Sequence, residues 1–182
     1  MKIATTTGDF GFYCSTDEER IRELHRAGFR YIDLSMYSFN PKCEYMQDGW
    51  RKAVERLQNV AKELGMQFVQ AHSQGGNPLS EDQEHVDFLL QATIRSIEIC
   101  EMLGIKNTVV HNGFKEGISK EEWFVRNKAF YEKLFLTMER CGVNVLCENS
   151  TRSNMGDRYF INTGKDMREF IEYVAHPMVH AC

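Results

Sequence analysis

Val143-Asn144-Val145-Leu146-Cys147-Glu148-Asn149 is the stretch on which the reading of this chain turns. It is a short, mostly apolar run that ends on a carboxylate followed by a turn-forming residue. A run of this length, apolar without clean alternation, is what a strand buried on both faces of a parallel sheet requires. Glu148 then stands where the strand leaves the core, a place where a carboxylate carries a desolvation cost. Two earlier runs have the same form. Gln67-Phe68-Val69-Gln70-Ala71-His72 and Asn107-Thr108-Val109-Val110-His111 each end on a histidine. Three strand ends carrying His72, His111 and Glu148 are the beginning of a metal site or an acid–base site.

The segments between these strands are helical in pattern. Thr16-Asp17-Glu18-Glu19, Ser80-Glu81-Asp82-Gln83 and Ser119-Lys120-Glu121-Glu122 read as capping boxes, the first and third with Glu in the third place after the cap. Helices are expected from Thr16 to Ala27, over 50–64, from Ser80 to Leu103, from Ser119 to Cys141 and from Thr163 to Ala175. Strands are expected over 2–7, 30–34 and 178–182, besides the three that carry the candidates. Gly28, Gly65, Gly104 and Gly142 close successive helices at spacings of 37, 39 and 38 residues. A strand and a helix in each unit of about 38 residues is a βα repeat. Crossover helices make the strands parallel, so a doubly wound sheet and a closed barrel are the two architectures that fit. Both place working residues at the C-terminal ends of strands. No GxGxxG follows the first strand and no phosphate loop of the GxxxxGK[ST] type occurs, which favours the barrel. Eight such units would take roughly 300 residues, and a typical barrel takes about 250. Five units and one strand are present, as in a fragment of a longer chain.

Composition narrows the partners. The chain has 182 residues, 42% of them hydrophobic, and a net charge of −4, enough for one domain spanning 1–182. No basic run marks a nucleic-acid surface, and no apolar run approaches the roughly 18 residues of a membrane span. The N-terminus lacks a signal-peptide apolar region, and the six cysteines are scattered without a CxxC pair. Reduced thiols and a cytoplasmic location are the expectation. Association into a homo-oligomer stays open.

Among residues that can carry chemistry, Glu148 is the leading candidate, as an oxygen ligand to a divalent ion or a general base. The competing reading is a loop cap or a pair with Arg152. His72 and His111 occupy equivalent places in consecutive repeats and suit contact with a substrate oxygen better than direct ligation. Asp33 closes the second strand and can orient a neighbour or a loop amide. Asn112 and Asn149 each follow a candidate and can bind hydroxyls, though asparagine is also a routine turn residue. His180 reads as structural, and His25, His85 and His176 as solvated. Trp123 and Phe124 lie near the Asn112-Gly113 loop, and a core or rim role is the favoured reading, with a sugar-lining role as the alternative.

Ile97-Glu98-Ile99-Cys100-Glu101-Met102-Leu103-Gly104-Ile105-Lys106-Asn107-Thr108-Val109-Val110-His111 resembles the helix–LG–strand–His segment of the xylose isomerase-like TIM barrels. That group includes the sugar phosphate isomerases/epimerases and family 2 of the apurinic-site endonucleases. Gly142-Val143-Asn144-Val145-Leu146-Cys147-Glu148-Asn149 is similar to its fifth strand. The resemblance implies an α/β fold, a (β/α)8 TIM barrel of which the first five βα units and a sixth strand are present. It implies a divalent ion (Mn, Mg, Co or Zn) with Glu148 as ligand and member of the acid–base pair. His72, His111 and Asn149 then contact a small sugar or polyol. The family's next ligand, an Asp in a D-x-G-H motif, falls just past Val179-His180-Ala181-Cys182. The implied activity is metal-dependent isomerisation or epimerisation of a sugar or sugar phosphate. The alternatives are an endonuclease-like zinc phosphodiesterase and an inactive barrel fragment or binding module.

Overall fold

The computed structural model describes residues 3–182, so Lys2, the expected start of the first strand, lies outside the described residues. Six strands form one parallel sheet: β1 (Ala4–Thr6), β2 (Tyr31–Ser35), β3 (Gln67–His72), β4 (Asn107–Val110), β5 (Asn144–Cys147) and β6 (Val179–Ala181). They neighbour one another in chain order throughout. A doubly wound sheet reverses its strand order at a switch point. Consecutive order is that of a (β/α) barrel wall. β1 and β6 each pair on one side among the described residues.

The helices are α1 (Asp17–Arg26), α2 (Trp50–Glu63), α3 (Gln83–Leu103), α4 (Lys120–Glu132), α5 (Phe135–Cys141), α6 (Arg152–Met155) and α7 (Gly164–Val174). The first expected capping box forms: Thr16 accepts from the Glu19 amide while Glu19 reaches back. The second is displaced. Asp82, not Ser80, caps α3 by accepting from the His85 amide, and its ionised oxygen suits the positive helix end better than a hydroxyl does. At the third, Ser119 caps α4 through the Glu122 amide, without the reciprocal bond. The single helix expected from Ser119 to Cys141 is two, interrupted at Lys133 and Leu134. The segment 150–162 contains α6 and a 3-10 turn, Gly156–Arg158. The four helix-closing glycines all have positive φ, from 62° to 94°, a conformation that side chains with a Cβ rarely adopt.

β2 alternates in burial: Ile32 and Leu34 are buried beneath helices, while Tyr31, Asp33 and Ser35 face the other way and are half-buried. On β5, Val145 and Cys147 are buried and Asn144 and Leu146 are half-buried. One face of the sheet thus packs on helices and the other forms the barrel lumen. An irregularity between Ile32 and Asp33 lets Val69 bulge from β3, so Asp33 pairs with Gln70 and Ser35 with His72. Bulges of this kind re-aim side chains near sites.

Behind β4 and β5 lies an aromatic cluster. Trp123, Tyr131 and Phe170 are fully buried, and the Trp123 ring sits 5.3 Å from Tyr159 and 5.2 Å from Phe170. This agrees with the core reading of Trp123 and Phe124 and excludes the sugar-lining one: both belong to the core. His176 is also not solvated. It stacks on Phe135 at 3.9 Å and its Nε2 lies 3.2 Å from Glu139. Among the described residues no helix is long and apolar enough to cross a membrane.

Candidate active site

Four side chains from four consecutive strands meet at the C-terminal rim of the lumen. Asp33 of β2 accepts from His72, whose Nδ1 lies 3.1 Å from Oδ1 and 3.0 Å from Oδ2. Gln70 Nε2 donates to the same carboxylate at 3.2 Å. Just past β4, His111 Nε2 lies 3.0 Å from Glu148 Oε2, just past β5. The two imidazole centroids are 6.1 Å apart. Register places them level: Asn107 pairs with Asn144 and Val109 with Leu146, so two residues on His111 meets Glu148. Asp33 therefore does what its sequence position allowed, orienting a neighbour. Glu148 pairs with His111 rather than with Arg152. His72 is the last residue of its strand, whereas His111 and Glu148 each stand one residue beyond theirs.

The backbone beneath Glu148 is pinned from below. Tyr159 Oη donates to the Glu148 carbonyl at 2.6 Å and accepts from Asn112 Nδ2 at 3.3 Å. Asn112 Nδ2 also lies 2.7 Å from Cys147 Sγ, so Asn112 is a buried brace and not a free hydroxyl binder. The loop after β4 is held by α4: Trp123 Nε1 donates to the Gly113 carbonyl at 2.8 Å, and Asn127 Oδ1 accepts from the Gly113 amide at 2.6 Å. Asn127 and Tyr159 do this work without having stood out in the sequence. Asn127 stands between Arg126 and Lys128, and Tyr159 follows Asp157 and Arg158, so both read as solvated until their burial is known.

His111, Glu148, Asn149 and Tyr37 line a cleft of about 190 Å³ with Phe114 and Met155. Asn149 is exposed at its edge. The Tyr37 ring stands edge-on to His111 at 5.4 Å and lies over Gly75, where an added Cβ would come within 2.3 Å of it. Only glycine lets the ring rest there.

Electrostatics separate the two imidazole–carboxylate pairs. The hydrogen bond from Asp33, aided by the charges of Asp33 and Glu148, raises the His72 imidazole above its usual value against the opposing effect of burial. The hydrogen bond from His111, aided by both histidines, lowers the Glu148 carboxyl despite partial burial. His72 thus favours the imidazolium form and Glu148 the carboxylate. His111 Nδ1 is buried without a partner among the described residues, while its Nε2 faces Glu148. Because the folded His72 value is raised, its contribution to stability is full below the unfolded value and lost as pH rises through the folded one. For Glu148, lowered in the fold, the contribution is present above the unfolded value and lost as pH falls through the folded one. Asp33→Asn removes the main cause of the His72 shift. Its imidazole proton signals are expected to titrate at lower pH than in the unaltered chain, followed by NMR. An unchanged titration would show that Asp33 does not hold the ring.

A family model described as xylose isomerase-like TIM barrel matches residues 21–182, and the chain belongs to that family. In fold it is similar to 3-keto-D-glucoside 4-epimerase, YcjR, from E. coli, with a TM-score of 0.75, 20% identity, and coverage of 98% of this chain and 66% of that one. It is similar to IOLI protein with a zinc atom bound, with a TM-score of 0.74, 16% identity, and coverage of 100% and 62%. It is similar to AP endonuclease, family 2, from Brucella melitensis, with a TM-score of 0.70, 16% identity, and coverage of 98% and 67%. The chain thus spans about two thirds of the length of the solved structures it resembles. No curated protein matches it.

The divalent ion implied by the family can be tested against the donors present. Glu148 fits as one ligand: its side chain is 40% exposed, and its Oε1 makes no hydrogen bond among the described residues. His72 keeps Nδ1 on Asp33 and has only Nε2 left to give. Among the described residues no group of three or more His, Cys, Asp or Glu side chains is placed to hold an ion. One carboxylate is short of the four to six ligands such an ion takes, so Glu148 would be one member of a larger set.

Proposed function

We propose that this chain carries the substrate-facing part of a metal-dependent sugar or sugar-phosphate isomerase or epimerase. The observation that carries the reading is the row Asp33–His72–His111–Glu148, two imidazole–carboxylate pairs side by side at one strand-end rim. Glu148, ionised and half-exposed, is the base. It takes the proton from the carbon next to a substrate carbonyl, the C–H pair becomes a C=C bond, and the carbonyl electrons pass to oxygen. A bound divalent ion supplies Lewis-acid stabilisation of that oxygen. His72, charged and fixed by Asp33, donates through Nε2 to the same developing negative charge. His111 keeps Glu148 in place through Nε2–H, and Asn149 meets a substrate hydroxyl at the cleft edge. Return of the proton to the former carbonyl carbon, with the adjacent hydroxyl proton passing to the enediolate oxygen, gives the isomer, and delivery of a proton by a second acid on the opposite face of the same carbon gives the epimer. The similarity in fold to an epimerase and to a zinc-bound protein supports this reading.

The endonuclease-like alternative has a structural likeness behind it, but the sequence carries no basic run of the kind a DNA-facing surface shows. The test is solvent exchange: the chain with Mn²⁺ and a panel of ketoses and their phosphates in D₂O. Deuterium entering the carbon next to the carbonyl is expected. Hydrolysis of abasic DNA without any such exchange would favour the endonuclease.

A further inference from the structure

A second cleft, of about 390 Å³, opens on the same C-terminal face, between the loops that follow β1 and β2 and the first turns of α1. Arg20 reaches it from α1. Its Nη1 donates to Asp17 Oδ1 at 2.8 Å, and Asp17 Oδ2 accepts from Tyr45 Oη at 2.8 Å. Both carboxylate oxygens of Asp17 are thus engaged within the protein, and the guanidinium is held by one end. Its other edge is free: Nε and Nη2 make no hydrogen bond among the described residues, and Nε is buried without a partner. A buried charged donor left unpaired is costly, and such groups as a rule find an acceptor. The Nε–Nη2 edge matches two oxygens of one phosphate or carboxylate side by side. The Ser35 and Ser38 hydroxyls line the same cleft and have no hydrogen-bond partner among the described residues.

This cleft adjoins the candidate active site through the sheet itself. Ser35 is the register partner of His72, on strands that lie roughly 4.8 Å apart. Gly8 packs against Ser35, where an added Cβ would sit 3.3 Å from its Oγ, so the β1 loop closes over this strand end. We propose that the Arg20 cleft is an oxyanion subsite, holding the phosphate or carboxylate group of a substrate whose carbonyl end lies between His72 and Glu148. The inference rests on the isomerase reading and narrows its substrate class to phosphorylated or carboxylated sugars. The recognition is bidentate at Arg20, with the two serine hydroxyls as further donors.

The test compares D-fructose with D-fructose 6-phosphate, D-glucuronate and inorganic phosphate, titrated into the chain while the Arg20 Nε–H and the Gly8 and Gly11 amides are followed by NMR. The phosphate ester is expected to bind about tenfold tighter than the neutral ketose and to move those signals. Inorganic phosphate is expected to move the same signals. Arg20→Lys retains a cation facing Asp17 but loses the fork, and it should erase the preference for the ester. Ser38→Ala, at an exposed position, should weaken ester binding several-fold in a fully folded chain. Tighter binding of D-glucuronate than of the ester would assign the subsite to carboxylates. Equal affinity for ketose and ester, with D-glucuronate no tighter, or an ester preference that survives Arg20→Lys, would overturn the proposal. The two readings fail separately. Phosphate that shifts the Arg20 signal without deuterium exchange in any ketose leaves the subsite and removes the isomerase. Exchange without discrimination between ester and ketose does the reverse.

Discussion

Glu148→Gln is expected to lower deuterium exchange next to the substrate carbonyl by about a hundred- to ten-thousand-fold, the usual contribution of a positioned general base. Glutamine occupies nearly the same space, and its carbonyl can still accept from His111 Nε2, which lies 3.0 Å from the carboxylate in the unaltered chain. What is lost is the negative charge and the ability to take a proton. The position is 40% exposed, so the fold does not depend on it, and the circular dichroism and urea midpoint should barely move. A variant that exchanges at near the unaltered rate would remove Glu148 from the chemistry. The companion pair should respond differently: Asp33→Asn leaves the base in place and weakens only the donor, so its loss should be smaller and dependent on pH.

Trp123→Ala is expected to cost about 3–5 kcal/mol of stability, read from the urea midpoint, which is a large share of a typical domain's total. The ring is wholly buried among Phe124, Tyr159, Phe160 and Phe170, and little around it can collapse into the space. The substitution also strips the Gly113 carbonyl of its donor, 2.8 Å away. Its effect reaches the candidate site, because Tyr159, which packs against the indole, holds the Glu148 carbonyl. Trp123→Phe keeps most of the ring and loses only the N–H, so its cost should be about 1–3 kcal/mol. A cost below about 1 kcal/mol for the alanine variant would contradict the packing described for this wall.

The architecture was legible because its signals are periodic. The first four βα units end their helices on a glycine that the fold places at positive φ, the fifth closes on Ala175 instead, and each candidate strand runs apolar to a polar end. Strand order followed from the same repeat. The break in the expected Ser119–Cys141 helix was not legible, since Lys133 and Leu134 are good helix formers and the interruption is set by packing. The cap of α3 shifted by two residues because Ser80, Asp82 and their neighbours offer several acceptors, and local pattern does not rank them. At the site, His72, His111 and Glu148 could be named from strand ends alone. Their pairing could not. Asp33 binds His72 across two strands only because of the bulge at Val69, a feature without a glycine or proline to announce it. The Arg20 edge was equally silent, because a single arginine in an amphipathic helix reads as solvated until its burial is known.

The most direct measurement is metal content of the purified chain after equilibration with Mn²⁺ and dialysis, by mass spectrometry, beside a Glu148→Ala control. Partial occupancy, below one ion per chain, that disappears in the control is the expected result, because Glu148 is one member of a larger ligand set, and it would place the ion at the strand-end row. A chain that retains no ion, or one that retains as much after Glu148 is removed, would contradict a metal-dependent site built on that carboxylate.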